Sequence, residues 1–465
     1  MPTPLPSRRR FLKYSALIGG AAAAPMIVRP HVVSAANAAG TPPPSERITI
    51  GIIGPGKQGG NHVAAIARRA DVAILAVCDV QESKRQRARE AIEKAAAAAA
   101  KEPRAPRTTG NAINASAPWD SASAGGSGAP ATDPKAVKYY NDFRELLDRP
   151  DVDTVLIATP DHWHALQVVM AAKAGKDIYC EKPLTLTIGE AKECIRVVRQ
   201  YGRVFQVGSQ QRSAREFRFA AEMIRNGRIG KVKTVTTTVG GPSKERDLPA
   251  EPVRAGVDWD LWLGPAPMQP FSKTLCPGPE FDGFPNWRSY RDFSGGGMTD
   301  WGAHHFDITQ WALGMDDSGP TEIIPPTPDR NWLTFRYASG IELYQGKTGG
   351  GRGIVFEGTE GTIEVARGYL QTTPDKIMRT NTLPNETHLY NSPGHHEDFF
   401  RAVRERRDCV CPVEVGARSV SVCHLGNIAS WLGRPLKWDP QHWTFVNDPE
   451  ANRWIDRPKR GPWQM

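Results

Sequence analysis

Arg47-Ile48-Thr49-Ile50-Gly51-Ile52-Ile53-Gly54-Pro55-Gly56-Lys57-Gln58-Gly59 is the stretch on which the fold turns. Its first seven residues form an apolar, β-branched run, the pattern of a strand buried on both faces. A G-x-G-x-x-G turn follows, and residues 62–69 then show a helical apolar pattern. In that context the first glycine permits the tight turn and the second lets the backbone approach a pyrophosphate. The third allows close helix-strand packing, and the helix N-terminus offers amide dipoles to the anion. A glycine-rich turn alone often serves only as a turn. Here a second strand, 72–77, leads to Asp79, about where a carboxylate grips adenosine ribose hydroxyls. Gly54, Gly56, Lys57, Gln58, Gly59 and Asp79 are therefore the candidate dinucleotide-binding residues. A carboxylate at Asp79 repels a 2′-phosphate, which favours NAD; Lys84 and Arg85 nearby keep NADP as the alternative.

Working outward, the alternation continues with helices at 82–101, 143–147, 163–174 and 188–201 and strands at 154–158, 177–180 and 204–207. Strand-helix alternation predicts a doubly wound parallel sheet over residues 46–212. Residues 101–132, rich in Ala, Pro, Ser and Gly without periodicity, read as a low-complexity insertion. From 213 to 465 the texture changes. Helices at 214–226, 303–313, 397–406 and 417–432 flank strand-like segments at 232–239, 332–337, 341–344, 354–358 and 362–365. This predicts a second, α+β domain with a largely antiparallel open sheet, giving an α/β protein overall.

The chain has 465 residues, 59 Lys+Arg against 50 Asp+Glu and a formal charge of +9. Two or three domains fit a length of this order at roughly 100–200 residues each. The start, Ser7-Arg8-Arg9-Arg10-Phe11-Leu12-Lys13, leads into an Ala/Gly-rich apolar run and small residues near Ala36-Asn37-Ala38. That is the pattern of a twin-arginine export signal over 1–38, with a periplasmic or otherwise exported product. Gly19, Gly20 and Pro25 interrupt the run, so no stable membrane anchor is expected. Removing Arg8, Arg9, Arg10, Lys13 and Arg29 from the 59 cations leaves 54 against 50, about +4. No dense basic run with interleaved aromatics appears, so nucleic acid is not an expected partner. The twin-arginine route carries folded proteins, which predicts a cofactor acquired in the cytoplasm and tightly held. Seven cysteines without a C-x-x-C pair argue against zinc or redox chemistry. Cys78 and Cys180 read as core residues, and a disulfide among the later ones stays open.

Two segments carry further chemistry. Thr159-Pro160-Asp161-His162-Trp163-His164 follows the 154–158 strand and Cys180-Glu181-Lys182-Pro183 ends the next one, so both lie at the carboxyl edge of the sheet, where ligands bind. Pro183 restricts Lys182 to extended geometry and aims its cation across the cleft; a surface Lys-Pro turn is the bland alternative. His164 is equally read as a residue capping its helix. In Gly295-Gly296-Gly297-Met298-Thr299-Asp300-Trp301-Gly302-Ala303-His304-His305-Phe306-Asp307, Asp300 and His304 are four apart. They stack on one helix face if the helix begins there, and a carboxylate beside an imidazole raises its basicity for proton abstraction. His305 points elsewhere. Two His and two Asp are also a donor set for a metal, but no metal-ligand motif accompanies them and none is assigned. His395-His396-Glu397-Asp398 reads as a helix start with a structural role.

These features together resemble the Gfo/Idh/MocA family of nicotinamide-dependent sugar and cyclitol oxidoreductases. The resemblance rests on the Gly54–Gly59 turn, Thr159-Pro160 with His164, Glu181-Lys182-Pro183 and the D-x-x-x-H-x-x-D run from Asp300 to Asp307. It implies that Thr159, Pro160, His164, Glu181 and Lys182 lie along the cofactor. Lys182 then hydrogen-bonds the reacting hydroxyl, and Asp300 and His304 form the catalytic pair with His304 as general acid/base. It further implies a carbohydrate or cyclitol substrate, hydride transfer to NAD, and a homo-oligomer, dimer or tetramer. A redox-neutral glycoside cleavage through a transient keto-sugar is the competing reading. The chain departs from the family pattern in the insertion, in His305 beside His304, and in a long Trp-rich connection over 240–297. Trp287, Arg288, Tyr290 and His305 are the candidate substrate contacts.

Overall fold

The computed structural model describes residues 44–101, 129–329, 331–348 and 353–465. The signal read at 1–38, and most of the insertion read at 101–132, lie outside the described residues.

The quoted run forms β1 (Ile48–Ile53), buried along nearly its whole length. It is followed by α1 (Lys57–Ile66), β2 (Val72–Cys78), α2 (Glu82–Lys101), β3 (Lys138–Tyr140), α3 (Phe143–Leu147), β4 (Thr154–Ile157), α4 (Asp161–Lys173), β5 (Asp177–Cys180), α5 (Ile188–Gln200) and β6 (Phe205–Val207). Among the described residues these strands form one six-stranded sheet in the order β3-β2-β1-β4-β5-β6, parallel throughout. The order reverses between β1 and β4, which opens a crevice at their carboxyl ends. β3 was not predicted, because three half-exposed residues carry no apolar run.

The second half contains α6 (Arg215–Arg225), β7 (Val232–Thr237), α7 (Trp259–Leu263), α8 (Gly297–Asp300), α9 (Gly302–Leu313), β8 (Glu322–Ile324), β9 (Leu333–Arg336), β10 (Glu342–Gln345), β11 (Ile354–Gly358), β12 (Thr362–Ala366), β13 (Tyr369–Thr373), α10 (His395–Glu405), α11 (Val413–Leu432), β14 (Leu436–Asp439), β15 (Thr444–Phe445) and α12 (Pro449–Asn452). Among the described residues its sheet has nine strands in the order β13-β12-β11-β7-β10-β9-β8-β14-β15. All pairs are antiparallel except β7 with β10. The predicted class holds: a parallel nucleotide-type sheet and a largely antiparallel partner.

α9 and α11 are buried nearly all round, as expected of helices sandwiched in a core rather than lying on a surface. They hold the two halves together: Val413, Ala417 and Val420 pack with the first sheet's core, whereas Val422, Leu425 and Ile428 pack with the second's. A buried ion pair locks the same seam. Arg212 donates to Asp307 on α9 at 2.8 Å and to Asp316 at 2.7 Å, and Ser419 on α11 donates to Asp307 at 2.6 Å. All seven cysteines are free and buried, so the disulfide left open among the later ones does not form. No helix among the described residues is long and apolar enough to cross a membrane.

Candidate active site

The glycine turn is built as the spacing requires. Gly54 sits at φ +83°, and a Cβ there would stand 2.8 Å from the Ala158 and Thr159 backbone. A Cβ on Gly59 would come within 2.1 Å of the Gly54 carbonyl, whereas one on Gly56 would meet nothing within 4 Å. Two glycines thus serve packing, and the middle one leaves open space at the start of α1. The adjoining cleft is lined by Gly54, Gly56, Lys57, Gln58, Asp79, Thr159 and Pro160, among others. Burial pushes the Asp79 carboxyl up to about 6, against the pull of a backbone amide at Gln81 and of Lys84 and Arg85. Arg85 is turned away to the Asp79 carbonyl and Asn141, while Lys84 lines the cleft. The open cradle at Gly56, with a carboxylate at the end of the neighbouring strand, fits a dinucleotide.

The opposite wall comes from the Trp-rich connection. Trp262, Leu275, Pro277, Pro285, Trp287 and Arg288 all face the cleft. The connection is tied across it: Lys57 pairs with Asp282 at 3.0 Å, Arg87 donates to the Pro279 carbonyl at 2.6 Å, Arg254 to Gln81 at 3.0 Å and Asn141 to Asp258 at 2.9 Å. Its tryptophans also make a core of their own, with Trp259 stacked on Trp262 at 4.6 Å. Tyr290 belongs to that core, 5% exposed, with the Lys244 ammonium over its ring; it is placed behind the wall rather than in it.

Next to Arg288 of the cleft wall, Lys182 donates to the Asp300 carboxylate at 2.6 Å and to its carbonyl at 2.9 Å. Arg288 reaches the same carboxylate at 3.7 Å. Although burial opposes it, the surrounding cations Lys182, Arg288 and Arg367 hold the Asp300 carboxyl below its usual range. The Lys182 side chain is mostly buried and paired with Asp300, unlike the lysine of a surface turn. His164 is buried, with its ring 2.7 Å from the Pro183 carbonyl and 2.9 Å from that of Thr159. It ties together the loops after β4 and β5 and lines up Thr159, whose hydroxyl donates to Gln167 at 2.8 Å.

The expected stacking of Asp300 on His304 does not occur. The backbone breaks at Trp301, so Asp300 ends the short α8 and His304 belongs to α9. Asp300 turns to Lys182, and the His304 Nε2 instead faces Arg367 at 3.1 Å. The imidazole is held well below its ordinary value, by burial first and then by Lys182 and Arg367, the opposite of the raised basicity expected from a carboxylate neighbour. Its Nδ1 is buried with no hydrogen-bond partner among the described residues. His305 donates through Nδ1 to the Thr238 carbonyl at 2.8 Å, and Asp307 is committed to Arg212. The four side chains diverge, and among the described residues no group of three or more His, Cys, Asp or Glu converges as a metal site would.

One contributor escapes a sequence reading. Arg367 sits at the tip of the β12–β13 hairpin, more than sixty positions from His304, and carries no motif. Behind the edge, Glu181 accepts from Gln210 at 2.8 Å and lies 2.8 Å from the His62 Nε2, whose Nδ1 is 2.8 Å from His396. The structural reading of His395 and His396 stands: His395 bonds Ser213 and the Val207 carbonyl, packing α10 against the sheet.

Residues 48–209 match the "NAD-binding Rossmann fold" and residues 239–465 the "C-terminal alpha/beta domain" of one oxidoreductase family. An uncharacterized oxidoreductase, YrbE, of Bacillus subtilis (strain 168) is 28% identical over 199 residues, 43% of this chain and 46% of its own. The scyllo-inositol 2-dehydrogenase (NAD(+)) of the same organism is 37% identical over 111 residues, 23% of this chain and 32% of its own. The chain thus spans less than half the length of either relative. A levoglucosan dehydrogenase solved with NADH and levoglucosan superposes with a TM-score of 0.53 at 19% identity, over 84% of this chain and 99% of that one, which establishes a common fold. With both family regions present in order, and with the glycine cradle and the Lys182–Asp300 pair where the two sheets meet, the chain belongs to the Gfo/Idh/MocA oxidoreductase family.

Proposed function

We propose that the protein is an NAD-dependent oxidoreductase that oxidises a secondary hydroxyl of a sugar, cyclitol or related polyol to a ketone. The observation that carries this is Arg288, which lines the nucleotide cleft and also stands beside the Asp300–Lys182 pair; cofactor and polyol sites are therefore contiguous. NAD, bound along Gly54, Gly56 and Asp79, supplies the hydride acceptor. The Lys182 ammonium, fixed by Asp300, hydrogen-bonds the reacting hydroxyl. His304 is neutral at pH 7 because it is buried among cations, so its Nε2 carries a lone pair that can take the hydroxyl proton once Arg367, which donates to it in this structure, is drawn away. Trp287 and the connection exclude water from the cleft. A strap bonded to α1, α2 and the β2 edge supports retention of the nucleotide through turnover, which suits a chain exported already folded. The twin-arginine start supports export to the periplasm, and cell fractionation showing only cytoplasmic protein would remove that part of the proposal. A homo-oligomer is the proposed assembly, to be read by light scattering.

The decisive assay incubates purified protein with a panel of sugars, cyclitols and glycosides while following nicotinamide absorbance and product mass together. Keto product with reduced cofactor is the expected result. Aglycone released without net reduction would replace it with the transient-oxidation reading, and faster turnover with NADP would reassign the cofactor.

A further inference from the structure

Around Asp300, positive side chains outnumber negative ones. Three cations, Lys182, Arg288 and Arg367, surround Asp300. The other nearby carboxylate, Glu181, is turned to His62, Gln58 and Gln210. Asp161 accepts from Ser294 at 2.6 Å and is buried against β4. Burial pushes its carboxyl up to about 7, so near neutrality it carries only part of its charge.

Arg367 is the cation with least compensation. The Arg288 guanidinium lies against the rings of Trp287 and Phe284 at 4.2 and 4.9 Å and donates to the Pro285 carbonyl. Arg367 makes no ion pair with any carboxylate among the described residues; its recorded polar contact is the His304 Nε2 at 3.1 Å, with the Trp301 ring 5.2 Å from its guanidinium carbon. Partial desolvation lowers the guanidinium's proton affinity, and the charges of Glu181 and Asp300 raise it. Arg367 is exposed at the hairpin tip, and its guanidinium offers five donors in a planar fork that matches a carboxylate. The position is built: Gly368 at φ +69° closes the two-residue turn, and its amide donates to Glu216 on α6 at 3.0 Å, which pins the hairpin tip over α9.

This contact also bears on the base. Arginine can only donate, so the His304 Nε2 accepts and the ring proton is left on Nδ1, which has no acceptor among the described residues. In this arrangement the nitrogen that the proposed reaction needs is occupied by Arg367.

Resting on the dehydrogenase reading above, we propose that the substrate is a polyol that carries a carboxylate, that Arg367 recognises this carboxylate, and that the switch of Arg367 from His304 to the substrate frees the His304 Nε2 for the hydroxyl proton. Arg367 is then a specificity determinant that couples recognition to availability of the base. A neutral polyol leaves Arg367 on the imidazole and reacts slowly.

The test compares D-glucuronate, D-galacturonate and D-gluconate with D-glucose, D-galactose and myo-inositol, in wild type and in Arg367→Gln and Arg367→Lys, by kcat/KM and by calorimetric binding to the protein with its nucleotide. The expected result is an acid-to-neutral kcat/KM ratio of tenfold or more in the wild type. That ratio collapses at least tenfold in Arg367→Gln and is partly restored in Arg367→Lys. Equal rates for acids and neutral polyols in the wild type, or a ratio unchanged in Arg367→Gln, would overturn the inference while leaving the dehydrogenase reading intact. If no polyol of either class reduces the cofactor, the dehydrogenase reading fails. Calorimetry then still decides the subsite: binding of the acids that is lost in Arg367→Gln supports it, and no preference for acids over neutral polyols overturns it. Circular dichroism of each variant checks that it is folded.

Discussion

Lys182 holds Asp300 twice, through its carboxylate at 2.6 Å and its carbonyl at 2.9 Å, across 118 positions of sequence and across the seam between the two sheets. The cation is fixed beside Arg288 of the cleft wall by a partner from the other half of the chain. Lys182→Ala and His304→Ala are each expected to reduce turnover by about 10²–10⁴-fold, the usual worth of a positioned acid or base. Equilibrium binding of NAD, measured by fluorescence, should stay within a few-fold of wild type. Wild-type rates in both variants would sink the site assignment.

The three glycines of the turn separate folding from binding. Gly54→Ala and Gly59→Ala each push a methyl into backbone, at 2.8 and 2.1 Å, and should lower the denaturation midpoint sharply. Gly56→Ala meets nothing and sits at φ −69°, so stability should change by under about 1 kcal/mol. Its methyl stands where the backbone is open to the nucleotide, and NAD affinity should fall. Unfolding midpoints and NAD titrations of the three variants check this; a Gly56→Ala protein that binds NAD as wild type does would remove the pyrophosphate from this position.

The buried pair of Arg212 and Asp307 should matter to stability and not to chemistry. Arg212→Ala strands a fully buried carboxylate between α9 and α11, and loss of one partner of such a pair typically costs about 3–5 kcal/mol. Urea denaturation reads the loss; residual folded enzyme should show an unchanged KM for NAD.

Acid should unfold this protein early. His162, His305, His395 and His424 are almost wholly buried, and burial lowers them to about 3, 4, 4 and 4. Because the folded values lie below the ordinary one near 6.5, the unfolded chain takes up protons first. Stability is complete above about pH 6.5 and is lost as pH falls from there towards 4, by about 1.4 kcal/mol per unit for each ring. Urea midpoints measured from pH 7.5 to 5 should fall steeply below 6.5. A flat profile would mean that these rings protonate in place.

Local pattern was enough for the first sheet. A β-branched run, a G-x-G-x-x-G turn and a strand ending in an acid are contiguous in sequence, and parallel strands buried on both faces cannot be written in any other residues. α2 and β5 came out at their observed bounds, as did β11. The strands that escaped, β3, β8, β13, β14 and β15, are short or half exposed. They exist because a neighbour already supplies the hydrogen-bonding edge, which a window of sequence does not contain.

The site divides the same way. Lys182, Asp300 and His304 were legible because motifs carry them. The helical spacing that put Asp300 on His304 failed because α8 ends at Asp300 and α9 begins at Gly302, and the Asp300 carboxylate turns to Lys182 instead. The connection over 240–297 gave only its composition; that it roofs the cleft, with Trp287 and Arg288 in the wall and Tyr290 behind it, follows from ion pairs and hydrogen bonds spanning more than a hundred residues. Arg367 had no signature at all. Sequence by itself determined the nucleotide half and singled out Lys182, Asp300 and His304 as candidates, since the motifs that carry them are local. Which nitrogen of His304 is engaged, which cation lacks a carboxylate and what closes the cleft were decided only by tertiary structure, because charge balance depends on distance in space and not along the chain.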